Sequence, residues 1–149
     1  MNQYIGDRII ERLGEKSMAE YRPEEFATIR GDAQELARVE RHLRTTDLRR
    51  LYDWVSQLSL AVTCQGAAFA AIRDDFLMLY PMVAGSGARR GASGPAFSKG
   101  LQRVFFACLD AVERVPGGVP DPDRVRADNL IMFRRFLEAL MQYRVYHGG

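Results

Sequence analysis

Apolar residues recur at helical spacing along most of the chain, and this spacing constrains the fold more than any other feature. The longest stripe runs from Leu51 to Phe76 with intervals of three, four and seven residues. Such intervals place side chains on one face of an α-helix. No segment alternates between apolar and polar residues for long enough to indicate a β-strand. The sequence therefore predicts an all-α fold, a compact bundle of five or six helices in a single domain.

Glycine and proline residues mark the limits of the first two predicted helices. The first covers about residues 2–13, and Gly14 ends it. The second begins at Pro23, because proline suits the first helical position, and its apolar pattern continues to Leu43.

Thr46 or Asp47 is expected to cap the third predicted helix, which carries the long apolar stripe. Gly66 lies within this segment, and a lone glycine costs only about 1 kcal/mol relative to alanine in a helix. The sequence therefore leaves open whether the segment is one helix or two. Pro81 is expected to end it.

The second half of the chain contains two predicted loops. Residues 85–94 are rich in glycine, and a fourth helix is expected to start near Pro95. Residues 115–122 form the second loop. At its end, Asp121 before Pro122 is typical of an N-cap followed by the first residue of a helix.

The cysteines and histidines are spaced too widely to indicate a metal site. Cys64 and Cys108 are separated by 44 positions, and both lie in apolar helical patterns, which favours buried thiols. His42 and His147 are each expected to be a lone surface imidazole. We therefore expect neither a metal nor a cofactor.

A stretch without charged residues, from residue 54 to residue 72, imitates a membrane span. Its serine, threonine and glutamine side chains would be expensive to bury in a bilayer. We therefore expect a central buried helix of the bundle and no contact with a membrane. The amino terminus is polar and lacks the pattern of a signal peptide. A reducing cytoplasm is the simplest compartment.

Paired carboxylates do not indicate a catalytic site. Asp74 and Asp75 are adjacent, and adjacent residues of a helix point in different directions. Asp121 and Asp123 lie where a helix is capped. No nucleophile, phosphate-loop or metalloprotease motif is present in the sequence. We therefore expect a protein that is not an enzyme and has no catalytic residues.

Arginine dominates the basic residues. The chain has 21 cations against 19 carboxylates, and all but Lys16 and Lys99 are arginines. Residues 1–45 sum to −1 and residues 46–149 to +3. Between Phe76 and Leu109 there are four cations and no carboxylate. Guanidinium groups bind phosphates with planar, paired donors. The window without carboxylates is therefore a candidate phosphate-contacting surface, and a solvated loop that carries arginines is the alternative.

Seven arginines are the candidates for contacts with phosphates or with other subunits. Most stand in pairs beside aromatic or apolar residues, where their stems can rim a core while their charges face outward. A row of guanidiniums on a helical bundle can follow a nucleic-acid backbone without reading bases. The candidates are Arg49, Arg50, Arg89, Arg90, Arg134, Arg135 and Arg144.

Residues 47–149 resemble the small helical subunit of type III-A CRISPR effector complexes, the Csm small subunit. Four segments carry the resemblance, and the last is the most specific because of its aromatic-rich helix and terminal glycines. They are DLRRLYDWV from residue 47, DDFLMLYPMVA from residue 74, FSKGLQRVFFACLDAV from residue 97 and FRRFLEALMQYRVYHGG from residue 133.

The resemblance implies a non-catalytic subunit of an antiviral CRISPR-Cas interference complex. Several copies would stack as a minor filament beside the other Csm subunits, with a basic face against the duplex of guide RNA and target RNA. Residues 46–149 would be the core bundle, and residues 1–45 an amino-terminal helical extension packed on it. The alternative function is a helical adaptor or chaperone whose arginines bind an acidic protein partner.

Overall fold

The computed structural model describes residues 3–88 and 96–148, which form eight α-helices and one 3-10 turn. The all-α class is confirmed; the helices are more numerous than five or six because two predicted segments are interrupted. The elements are α1 (Ile5–Leu13), the 3-10 turn (Met18–Glu20), α2 (Pro23–Phe26), α3 (Asp32–Val39), α4 (Thr45–Thr63), α5 (Phe69–Leu77), α6 (Leu79–Ala88), α7 (Lys99–Glu113) and α8 (Pro122–Tyr146).

The longest helix, α8, lies at the centre of the bundle. Helices α3, α4 and α7 and the 3-10 turn pack along it, and α1 packs on α7 and α3. Its apolar face is fully buried at Phe133, Phe136, Leu137 and Leu140. Phe136 meets the rings of Tyr21 and Phe26 at centroid distances of 5.9 and 5.5 Å, which ties the amino-terminal segment to the same core.

The second predicted helix is wrong as a single element, because the chain breaks between α2 and α3. Arg30 adopts a left-handed φ of 68°, which is unusual for a residue with a side chain. A Cβ on Gly31 would stand 2.8 Å from the Thr28 carbonyl, so this tight turn requires glycine. As a result, Ile29 and Val39 are exposed and do not join the core that their spacing predicted.

The long third segment is two helices, which settles the alternative that the sequence left open. Helix α4 ends at Thr63, and Gly66 turns the chain with a left-handed φ of 70° before α5 begins. The charge-free stretch of residues 54–72 therefore does not form one continuous helix. Within the described part of the chain, no helix combines the length and the hydropathy needed to cross a bilayer.

Pro81 does not end a helix, contrary to the prediction. It lies in the first turn of α6, where a missing N–H costs no helical hydrogen bond. Residues 85–88, expected in a loop, continue this helix. Residues 89–95 lie outside the described residues. The following helix begins at Lys99, later than predicted, and the Ser98 hydroxyl caps it by accepting from the Leu101 N–H at 3.1 Å.

The start of α8 is confirmed as predicted. Pro122 is its first residue, and the Asp121 carboxylate accepts a hydrogen bond of 3.2 Å from the Arg124 N–H. Residues 115–120 connect it to α7 without regular structure. The capped end fixes which face of α8 turns toward the core.

The amino-terminal segment shares the core of the bundle. Ile5, Ile9 and Leu13 of α1 belong to the same buried cluster as the apolar residues of α7 and α8. Helix α1 approaches α7 closely through the ring of Tyr4, since a Cβ on Gly100 would come within 2.8 Å of that ring. The predicted division between residues 45 and 46 stays a prediction.

Asn129, a fully buried residue near the start of α8, connects three elements through hydrogen bonds. Its amide nitrogen donates to the carbonyls of Val112 at 3.0 Å and Arg114 at 3.1 Å, and more weakly to that of Ala111. Its side-chain oxygen accepts from the Ala19 N–H of the 3-10 turn at 2.9 Å. The carbonyls of Val112 and Arg114 lie at the end of α7, where the helix offers no further N–H donors, so Asn129 satisfies groups that would otherwise be buried alone.

Replacing this amide should weaken the fold measurably. We expect Asn129→Ala to lower the free energy of unfolding by about 3 kcal/mol, because several buried backbone groups lose their partner. Urea denaturation followed by circular dichroism measures the change. The matched control is Gln102→Ala, which removes a single half-buried bond to the Phe97 carbonyl and should cost about 1 kcal/mol. Equal losses in the two variants would contradict the role of Asn129.

Candidate nucleic-acid interface

Most surface arginines in the described residues are neutralised by a carboxylate. The nitrogen–oxygen distances are 2.8 Å for Arg38 and Glu35, 2.9 Å for Arg44 and Asp47, and 3.0 Å for Arg73 and Glu113. Exposed pairs of this kind contribute little to stability, but they compensate charge locally. Such arginines are poor candidates for binding a polyanion.

Between residues 76 and 109, the fold leaves fewer cations without a carboxylate partner than the sequence predicts. Arg103 of α7 forms a 2.9 Å ion pair with Asp7 of α1. The carboxylate that compensates it comes from a helix far away along the chain. Arg103 is therefore not part of a free basic surface.

Four of the predicted arginines form no ion pair with any described residue. Arg49 and Arg50 lie exposed on α4, Arg135 lies exposed on α8, and Arg134 of α8 is half-buried. No carboxylate within residues 3–88 and 96–148 approaches their nitrogens closely enough to pair. They carry uncompensated positive charge, but the structure does not bring all four together.

Arg50 lies beside the two ends of the basic loop. It lines a small depression of about 120 Å³ with Ser86 at the end of α6 and Ala96 before α7. The Ala96 N–H donates to the Ser86 carbonyl at 3.0 Å, which closes the base of the loop. Arg89 and Arg90, the two predicted arginines of that loop, lie outside the described residues.

Trp54 lies one helical turn after Arg50 and is partly exposed. It is the single tryptophan of the chain, and 38% of its surface is accessible. We call Arg50, Trp54 and the loop ends at Ser86 and Ala96 the α4–loop surface. Arg49 is exposed on the same turn of α4 but diverges from Arg50 by roughly 100° around the helix.

Arg134 lies in a different depression, which we call the α4–α8 groove. The groove has a volume of about 560 Å³ and contains an uncompensated guanidinium, an exposed carboxylate and aliphatic side chains. It is lined by Tyr52, Asp53, Ser56, Ser59, Leu60, Thr63 and Cys64 of α4 and by Ile131 and Arg134 of α8.

Three buried polar atoms at this groove lack hydrogen-bond partners in the described structure. They are the hydroxyl oxygens of Ser56 and Ser59 and the Nε of Arg134. An unsatisfied buried polar group costs about 1–3 kcal/mol unless a water molecule or a partner supplies the missing hydrogen bond. The groove is therefore suited to a partner that supplies hydrogen-bonding groups.

Arg135 points away from Arg134, although the two are neighbours in sequence. It lines a shallow depression between α2 and α8 together with Glu138 and Tyr143. Neighbouring residues of a helix diverge by roughly 100°. The arginine pair that the sequence treated as one feature therefore serves two separate surfaces.

Arg144 does not belong to the exposed set, and its predicted contact with phosphate or a neighbouring subunit stays a prediction. The residue is only 4% exposed. Its guanidinium donates to the carbonyls of Leu43 at 3.0 Å, Ala37 at 2.9 Å and Arg41 at 3.3 Å. These oxygens lie at or just beyond the carboxyl end of α3, where a positive charge also meets the negative end of the helix dipole.

Spacing could have identified both Arg144 and Ser59 as buried. Arg144 follows Leu137 and Leu140 by seven and four residues, so it continues the buried stripe of α8. Ser59 follows Val55 by four residues on the buried face of α4. Polar residues on such a stripe indicate interior hydrogen bonding rather than solvent exposure.

The two cysteines have opposite environments. Cys108 is buried as predicted, and burial raises the pKa of its thiol. Cys64 is exposed, so its predicted burial is wrong: it follows the last residue of α4, where the chain leaves the core. No group of histidine, cysteine and acidic residues in the described ranges could hold a metal ion.

The two tyrosines Tyr21 and Tyr80, whose pKa is raised, take part in structural hydrogen bonds. Burial, and then a bond of 2.6 Å to Asp32, raise the pKa of Tyr21. Burial and a bond of 2.7 Å to Asp110 likewise raise the pKa of Tyr80. Both phenols therefore remain protonated donors at neutral pH.

Removing the Arg144 guanidinium should destabilise the fold and should have no direct effect on ligand binding. We expect Arg144→Met to lower the free energy of unfolding by about 3 kcal/mol, because three carbonyls lose their donor. Arg135→Met removes the same charge from an exposed site and serves as the control, with a change below about 0.5 kcal/mol. Thermal and urea denaturation of the two variants measure the difference. A surface role for Arg144 would make the two variants equally stable.

Comparison with known proteins gives one family. The family model described as Csm2 Type III-A matches residues 23–149. The match begins at residue 23, whereas the resemblance of the sequence segments begins at residue 47. No curated protein and no solved structure matches the chain.

Proposed function

The chain belongs to the Csm2 family of type III-A CRISPR effector complexes, and from this membership we propose that it acts as a non-catalytic small subunit that contacts the RNA of the complex. Several copies would stack along the other Csm subunits as a minor filament. Each copy would turn a basic face toward the duplex of guide RNA and target RNA. The cytoplasm, where such an effector meets its target, would be the compartment.

The observation that carries the RNA contact is the α4–loop surface. Arg50 forms no ion pair with described residues and lies beside Ser86 and Ala96, which stand on either side of the segment that contains Arg89 and Arg90. Arg49 is exposed on the same turn of α4 but diverges from Arg50 by roughly 100°, and its contact with RNA stays a prediction. Backbone phosphates attract such a cluster through charge and need no base-specific partner.

Trp54 strengthens this assignment because it adds a ring to the same surface. Aromatic side chains beside arginines are common where proteins hold RNA, since bases and guanidiniums both stack on flat rings. Arg135 lies on another face, and its contact with RNA stays a prediction.

Salt-dependent RNA binding tests the proposal. We expect the full chain to bind a guide–target RNA duplex weakly and without sequence preference, with an affinity that falls steeply as salt rises. Arg49→Ala/Arg50→Ala and Arg89→Ala/Arg90→Ala should each weaken binding and lower the slope of log K against log salt by roughly 1 per lost contact. Fluorescence anisotropy of labelled duplex measures both quantities. Quenching of Trp54 by unlabelled duplex gives a second, local readout.

The control removes the same charge elsewhere on the surface. Arg38→Ala/Arg124→Ala deletes two exposed arginines that are paired with Glu35 and Asp128. Its salt slope should remain that of the unmodified chain. Identical losses in the control and in the α4 variant would reduce the effect to net charge. Unchanged affinity and slope in the loop variant would remove Arg89 and Arg90 from the interface.

The adaptor alternative makes the opposite prediction. An adaptor whose arginines bind an acidic protein would show no salt-linked RNA binding and would copurify without RNA. Coexpression with the other subunits of the complex separates the two functions, since we expect both guide RNA and larger subunits to copurify with this chain.

A further inference from the structure

The α4–α8 groove differs from the α4–loop surface in its chemistry. It combines the uncompensated Arg134 with the carboxylate of Asp53, which forms no ion pair with a described residue. The groove also exposes 51% of Leu60. A phosphate backbone would leave the aliphatic side chain uncovered, so a protein segment fits the groove better than RNA does.

The unsatisfied atoms of the groove indicate what that segment carries. Ser59 is 4% exposed, and its hydroxyl has no partner; neither has the hydroxyl of Ser56 or the Nε of Arg134. All three can donate a hydrogen bond. A carboxylate accepts several donors at once and pairs with guanidinium, so an acidic side chain is the complementary group.

An acidic surface of the required kind exists on α5 of this same chain. Asp74 and Asp75 are exposed and form neither a hydrogen bond nor an ion pair with any residue of the described ranges. Met78, one turn after Asp74, is 55% exposed. This α5 face, defined by Asp74, Asp75 and Met78, lies outside the groove and matches its charge and its aliphatic surface.

We propose that the α4–α8 groove of one copy of this chain receives the α5 face of the next copy, with Asp75 bound to Arg134, Ser56 and Ser59. The contact joins two different surfaces, and head-to-tail contacts of this kind generate open filaments rather than closed dimers. The inference rests on the proposed stacking of several copies. It names the surfaces that make the stack.

Cross-linking in the assembled complex tests the contact. Cys64 is exposed at the groove, and Cys108 is buried, so the chain has one accessible thiol in the required place. Ala71→Cys adds a second thiol on the exposed side of α5, one turn before Asp75, and leaves both carboxylates intact. A short bismaleimide should then link Cys64 of one copy to position 71 of the next and give a ladder of dimers, trimers and longer chains on a denaturing gel.

Two controls make the ladder specific. Ala71→Cys/Cys64→Ser retains only the added thiol, which can give dimers but no ladder. Glu15→Cys places a thiol on an exposed site outside both surfaces and should give no ladder. A ladder in either control would overturn the pairing of these two surfaces.

Charge reversal in the Ala71→Cys background tests the proposed ion pair. Arg134→Asp should reduce the ladder by about tenfold, as expected when an interfacial charge pair becomes repulsive. Adding Asp75→Arg should restore it. Arg135→Asp, with the same charge change on another face, should leave it intact. Failure of the double variant to recover, in a complex that still assembles, would overturn the assignment of Asp75 to Arg134.

Copy number separates the failure of this contact from that of the proposed function. Native mass spectrometry of the complex counts the copies of this chain. A single copy would refute both the stacking and the contact. Several copies without a Cys64-dependent ladder would refute only the contact. A loss of RNA affinity in Arg134→Asp as large as in Arg50→Asp, without a ladder, would assign the groove to RNA and overturn the inference.

Discussion

Two buried polar side chains on α8 hold the bundle together by satisfying the carbonyl groups at the ends of other helices. Asn129 binds the last carbonyls of α7, and Arg144 binds those at the end of α3. The two residues are separated by about 22 Å along the helix axis. Because helix ends leave carbonyls without partners, a short helix such as α3 is stable in the interior only if another element supplies donors. Helix α8 is therefore fixed at both ends, and the other helices pack against it.

The same residue type serves opposite purposes on this scaffold. Arg144 lies on the buried stripe of α8, where its guanidinium is consumed by backbone carbonyls. Arg134 and Arg135 lie on two other sides of that helix, and Arg50 lies on the outer side of α4. Position around the helix, rather than composition, decides which charge is available to a partner. In the proposed function, this separates an RNA-facing surface on α4 from a subunit-facing groove between α4 and α8.

The helical class and the strongest boundaries could be predicted because they depend on local chemistry. Asp121 and Pro122 begin α8 through capping and a fixed φ, which act within a few residues. The break at Arg30 was missed because the left-handed residue is an arginine rather than a glycine. Arg144 was misplaced because its pairing with aromatic neighbours received more weight than its spacing from the buried leucines. The three unsatisfied atoms at the groove could not be foreseen, since Ser59 and Arg134 meet only after α4 packs on α8.

The proposed function depends most directly on contact between the α4–loop surface and RNA in the assembled complex. Photo-cross-linking with guide RNA and target RNA that carry 4-thiouridine, followed by mass spectrometry of the linked peptides, measures this contact. We expect linked peptides from the part of α4 that contains Arg50 and Trp54, and from the loop of residues 89–95. Cross-links confined to α1–α3, or their absence from this chain in an intact complex, would contradict it.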